Sequence, residues 1–103
     1  MMFLVVTTVE VVPDSIDVLA ALFDETNREL VAGHDDWLSA DFTADREANT
    51  VMVVARWRRA ESYVALRESP EFGATMALFA PHFAGPPTVA TYEVLVHMES
   101  VAG

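Results

Sequence analysis

TVMVVARWRRAESYVALRESPEF, residues Thr50 to Phe72, holds a strand, a tryptophan and two helix starts in one unbroken run. Its first part, Thr50 to Trp57, is β-branched and apolar on both faces, as in a strand covered on both sides. Alternation puts Val51, Val53, Ala55 and Trp57 on one face, and Met52, Val54, Arg56 and Arg58 on the other. Glu61 to Glu68 predicts a short helix, because Pro70 cannot continue it. Ser69 as cap and Pro70 at the first helical position then start a second one, striped by Phe72, Met76 and Phe79. Pro81 ends it.

Upstream, FLVVTTVEVV (Phe3 to Val12) predicts a strand stopped by Pro13. Asp14 or Ser15 caps an amphipathic helix that buries Ile16, Leu19, Phe23 and Leu30 and ends at Gly33. WLSADFTAD (Trp37 to Asp45) alternates Leu38, Ala40 and Phe42 with Ser39, Asp41 and Thr43, a strand with one polar face. The turn residues of Asp45 to Asn49 join it to the central strand as a hairpin. Downstream, a Gly/Pro loop (His82 to Pro87) leads to a last strand predicted over Thr88 to Met98, with 98–103 as a loose tail.

The order is β-α-β-β-α-β with the second helix broken in two. This is the ferredoxin-like α+β arrangement, a four-stranded antiparallel sheet with helices on one face. The uncovered face is apolar, which predicts a homodimer whose sheets pack into a dimeric α+β barrel. A single domain over residues 1–103 is expected, with a pocket between sheet and helices.

Composition narrows the function. Sixteen acidic residues against six basic give a net charge of -10. Such a surface repels nucleic acid and anionic membranes, so neither is expected as a partner. The chain has no cysteine, and all six basic residues are arginine, which excludes thiol and lysine Schiff-base chemistry. The start, MMFLVVTTVEVV, lacks the basic region and cleavage site of a signal peptide and is read as a first strand, so a cytoplasmic location is expected. The spacings of His34, His82 and His97 match no metal-ligand pattern, so no metal is expected. Phosphate loops and Ser-His-Asp spacings are absent, and no nucleotide cofactor has an obvious seat.

The succession GHDDWLSADFTAD, NTVMVVARWRRAESYVALRESPEF and TYEVL resembles the antibiotic biosynthesis monooxygenase family across nearly the whole chain. That resemblance implies a small dimeric α+β barrel whose third strand ends in a tryptophan followed by a helix. It also implies that Trp57 lines the substrate cavity and that Tyr63 is its pocket tyrosine. In the oxygenases of the family, an asparagine four residues before the tryptophan holds the reacting oxygen; here Val53 stands there. Pro70 to Ala80 contains no arginine, and no histidine follows Phe72 where haem-degrading relatives carry their iron ligand.

The candidates are therefore Trp57, Tyr63 and His82 as catalytic residues, with His82 a base at the pocket mouth. Val53, Phe72, Met76, Phe79 and Ser39 are the candidate substrate-binding residues. Each has a plainer reading: Trp57 as a core plug, Tyr63 as a satisfied buried phenol, Ser39 as solvent face. His34 and His97 read as surface residues. Arg56, Arg58 and Arg59 read as partners of carboxylates at a dimer edge or, second, as attractors of an anionic ligand. The expected function is a cofactor-independent monooxygenase that oxidises a polycyclic phenol or aromatic polyketide to a quinone, with no cofactor. The alternative is a non-oxidative ligand-binding or polyketide cyclase-type barrel.

Overall fold

The computed structural model describes residues 1–101 and contains four strands and three α-helices. In chain order these are β1 (Met2–Glu10), α1 (Ile16–Val31), β2 (Trp37–Asp45), β3 (Thr50–Trp57), α2 (Ala60–Arg67), α3 (Pro70–Phe79) and β4 (Thr88–Val94). A single 3₁₀ turn, Ala80–His82, follows α3. The sheet is antiparallel with order β2-β3-β1-β4, so the ferredoxin-like α+β expectation holds. No described helix is long and apolar enough to cross a membrane.

Local chemistry explains most of the boundaries. Pro13 ends the first extended segment, and Asp14 turns the chain with a left-handed φ of 67°. The Asp45 carboxylate accepts from the amides of Glu47 and Ala48, both at 3.1 Å, and Asn49 takes φ 49° to close the hairpin. Ser69 caps α3 by accepting from the amide of Phe72 at 3.2 Å, while Pro70 occupies the first turn. Gly33, at φ 80°, carries the chain out of α1.

Two expectations need correction. The last strand stops at Val94, not Met98: its neighbour β1 begins at Met2, the residue that pairs with Val94. Residues 95–101 have no regular structure, and of the predicted tail 102–103 lie outside the described residues. The alternation of β2 is also broken. Trp37 pairs with Trp57 and Ser39 with Arg56, so Leu38 is the extra residue of a β-bulge. Trp37, not Leu38, therefore takes the inward position beside Trp57.

Between sheet and helices the core divides into two clusters. One joins Val9, Val11, Ile16, Leu19, Val51 and Phe79. The other joins Val5, Val31, Trp57, Tyr63 and Leu66. The row Phe42-Val53-Thr7-Val89 crosses the sheet between them. On the opposite face, Leu4, Val6, Met52 and Val54 form an apolar centre on β1 and β3 that no helix covers.

Candidate active site

The gap between the two clusters is a cavity of about 240 Å³, floored by the inner face of the sheet and roofed by α1, α2 and α3. Alternation on β3 turns Val53, Ala55 and Trp57 into it. At the end of the strand Trp57 is 2% exposed and fully enclosed. Its Nε1–H has no hydrogen-bond partner among the described residues. A buried donor left unpaired costs about 1–3 kcal/mol, so an orphan here is a feature to be explained.

Tyr63 reaches the same place from α2, one turn into the helix. Its ring meets Trp57 edge-on, with centroids 6.0 Å apart. Burial pushes its phenol above the ordinary tyrosine range, and the nearby Arg67 opposes that rise only in part. The neutral phenol, a donor, is thus the form present at neutral pH. The Arg67 guanidinium lies 5.7 Å from the Tyr63 ring centre. The loop before β2 is pinned alongside: Asp36 accepts a short hydrogen bond from the Ser62 hydroxyl at the start of α2, and its carbonyl accepts from the Arg58 amide at 2.7 Å.

Of the residues proposed from sequence, Trp57, Tyr63, Val53, Phe72, Met76 and Phe79 all line this cavity. Ser39 does not. Alternation with inward Ala40 sets it across from Arg56, on the sheet face away from the helices. His82 does not either. The 3₁₀ turn carries it against the start of α1, where its carbonyl accepts from the Val12 amide at 3.0 Å. Its Nδ1 lies 3.4 Å from the Ser15 hydroxyl, and Ser15 makes no side-chain cap on α1. His34 is exposed, yet its ring stands edge-on to Trp57 at 6.2 Å. His97 lies 3.0 Å from Glu99. Arg59 pairs with Glu61 at 3.7 Å, within its own helix start.

Among the lining residues not anticipated from sequence are Thr7, Asn27, Trp37 and Arg67. Thr7 was visible as the lone hydroxyl between Val5 and Val9 on the inward positions of β1. Asn27 falls at helical spacing from Phe23 and Leu30, on the buried stripe of α1. Arg67 sits four residues after Tyr63, hence on the same side of α2. Trp37 required the bulge, which nothing in the alternation announces. A shallower recess outside α1 shares Phe23, Asn27 and Trp37 with the cavity, so Asn27 stands at the boundary of the two.

The cavity walls are otherwise apolar, and no carboxylate lines it among the described residues. Polar contacts available to a ligand are the Trp57 N–H, the Tyr63, Thr7 and Thr75 hydroxyls, the Asn27 amide and Arg67. Thr26 is already committed to the carbonyl of Leu22 at 2.8 Å. Such an enclosure can desolvate a flat apolar molecule and steady one oxygen substituent at the Trp57 end.

The fold recurs in solved structures. Rv0793 from Mycobacterium tuberculosis aligns with a TM-score of 0.76 at 20% identity, over 96% of this chain and 100% of its own. An asparagine-to-alanine mutant of SnoaB, a cofactor-independent oxygenase from Streptomyces nogalater, aligns at 0.78 and 11% identity, over 96% and 98%. A conserved protein from Methanosarcina mazei Go1 gives 0.76 at 14% identity, over 89% and 91%. At these identities the likeness establishes the fold. No curated protein sequence matches the chain significantly. The sequence profile described as antibiotic biosynthesis monooxygenase matches residues 2–78. That span contains the strand ending in Trp57, the helix bearing Tyr63 and most of the cavity wall, and the chain belongs to the antibiotic biosynthesis monooxygenase family.

Proposed function

We propose that the protein is a cofactor-independent monooxygenase that oxidises a fused-ring phenol, such as an aromatic polyketide, to a quinone. The observation that carries this reading is the orphaned Trp57 N–H beside Tyr63 in an otherwise apolar cavity. About 240 Å³ exceeds the roughly 150 Å³ of an engineered cavity that takes up benzene, which leaves room for fused rings. An electron-rich phenol supplies its own reducing power. Its anion passes one electron to dioxygen, and recombination of the two radicals joins oxygen to a ring carbon. Loss of that carbon's proton with cleavage of the O–O bond leaves a carbonyl. Four electrons leave the substrate, one oxygen atom enters the quinone and the other departs as water. The protein's part is to exclude water, hold the ring and donate hydrogen bonds to the developing oxyanion.

The test is oxygen uptake by the purified protein supplied with hydroxyanthrones in air. Uptake well above a buffer control, with quinone formed in equal amount, is expected. Uptake at the control rate for several such phenols would leave the non-oxidative binding or cyclase-type reading, which Val53 in the asparagine position favours.

The working unit is a homodimer. Leu4, Val6, Met52 and Val54 form the uncovered sheet centre, and Tyr92 beside them on β4 is 56% exposed. With a net charge of -10 on each copy, only apolar burial of this face holds two copies together. An interface of roughly 1,200–2,000 Å² is expected. Sedimentation of a compact monomer at micromolar concentration would remove the barrel.

A further inference from the structure

Charge is distributed unevenly around the cavity. Of the six arginines, Arg28, Arg46 and Arg59 are taken up in ion pairs with Asp24, Asp17 and Glu61 at 2.8, 2.7 and 3.7 Å. Arg56 lies on the outer sheet face, and Arg58 is exposed. Arg67 alone lines the cavity. It makes no ion pair among the described residues, although the chain carries 16 carboxylates and Glu68 and Glu71 are near in sequence. The Ser69-Pro70 break places Glu71 on α3, off the helical register that would set it beside Arg67. The exposed side chain packs its guanidinium over the Tyr63 ring instead, which leaves its N–H groups without a carboxylate on the Tyr63 side of the cavity.

We propose that Arg67 makes this cavity selective for aromatic ligands that carry an anionic oxygen, a carboxylate or a phenolate. The oxygen is held at the Tyr63 end and the rings lie against the apolar walls. A cation with no carboxylate around the same space disfavours cationic ligands and favours anions over neutral molecules of the same shape. The overall negative charge opposes anions at long range, but at physiological salt that repulsion is screened beyond about 8 Å, whereas a direct contact is not. Selectivity therefore resides in the cavity. This inference rests on the reading of the cavity as an aromatic site and does not require oxidation.

The experiment is calorimetric titration at pH 8 and 0.15 M ionic strength with two matched pairs of unreactive probes. These are 1-naphthoate against 1-naphthylmethanol, and 4-nitrophenolate against 4-nitroanisole. The anion of at least one pair should bind roughly tenfold tighter, the lower end of a charge-assisted hydrogen bond at a site open to water. Preference in the first pair alone assigns a carboxylate, and in the second alone a phenolate. Arg67→Gln should abolish the preference while binding the neutral probes as the parent does, and Arg67→Lys should retain part of it. Equal binding within both pairs, or an unchanged preference in Arg67→Gln, overturns the proposal. Failure of all four probes to bind overturns it together with the aromatic reading of the cavity. Normal binding without oxygen uptake counts against oxidation alone.

Discussion

The two core clusters do different work. The cluster around Leu19 and Ile16 is made of aliphatic and phenylalanine side chains with no polar atom to satisfy. The cluster around Trp57 has a similar number of buried residues, yet it contains an indole N–H without a partner and a phenol kept neutral by burial. Both close off the same sheet. Both border the cavity, but only the second brings unmet hydrogen-bonding capacity to it. Stability should therefore depend chiefly on the first end, and ligand recognition on the second.

The largest expected effect breaks the first end. Ile16 belongs to the Leu19 cluster and does not line the cavity. Ile16→Ala should cost about 3 kcal/mol of unfolding free energy, within the range for deleting a buried aliphatic side chain. Denaturant titration measures the loss. Ligand affinity of the folded fraction should be unchanged, and a parallel fall in affinity would show that the two ends are not separable.

The next prediction moves polarity into the row between them. Val53 faces the cavity with Thr7 and Phe42 as its cross-strand neighbours. If an oxyanion forms near Trp57, an added donor at this position should help. Losing one such donor typically costs about 3 kcal/mol, a hundredfold in rate, so Val53→Asn should raise phenol oxidation by up to that factor. The Thr7 hydroxyl opposite offers the new amide a partner and limits the cost of burying it. A folded variant that oxidises no faster than the parent would place the chemistry away from residue 53.

Trp57→Phe probes the second end directly. The ring that fills the strand's end is largely kept and the unpaired donor is removed, so no partner is left stranded. A stability loss of about 1–2 kcal/mol is expected from the smaller ring. Affinity for an aryl ligand with an oxygen substituent should fall about tenfold, and affinity for the bare hydrocarbon should fall less. Equal losses for both ligands would reduce Trp57 to a packing residue.

What was legible in the sequence follows the same division. The periodicity of residues 50–79 placed Val53, Trp57, Phe72, Met76 and Phe79 on one side of their elements, the family resemblance added Tyr63, and these meet in the cavity. Residues whose position depends on pairing between strands were not legible. The bulge that turns Trp37 inward is a fact about register between β2 and β3. The end of β4 at Val94 is set by the length of β1, since the run Leu95-Val96-His97-Met98 reads as strand by itself. His82 was assigned to a mouth because its loop follows α3, but the 3₁₀ turn binds it to the start of α1. Arg67, unlike the arginines at 56, 58 and 59, follows Tyr63 by four residues on α2, a spacing that was legible in the sequence.

The smallest effect belongs to Tyr63 and appears only in alkali. Burial raises its folded-state pKa above that of the unfolded chain, mainly by desolvating the phenolate, with Arg67 opposing. A raised acid holds its proton more tightly when folded. Its contribution to stability is therefore complete below the unfolded tyrosine pKa near 10 and is lost as pH rises through the folded value. Tyr63→Phe should flatten the fall in the urea midpoint between about pH 9.5 and pH 11, with little change at pH 7, where the phenol is neutral in both states. A profile that keeps its alkaline slope in Tyr63→Phe would mean that the buried phenol is not the group that senses pH, and the polar end of the core would then rest on Trp57 alone.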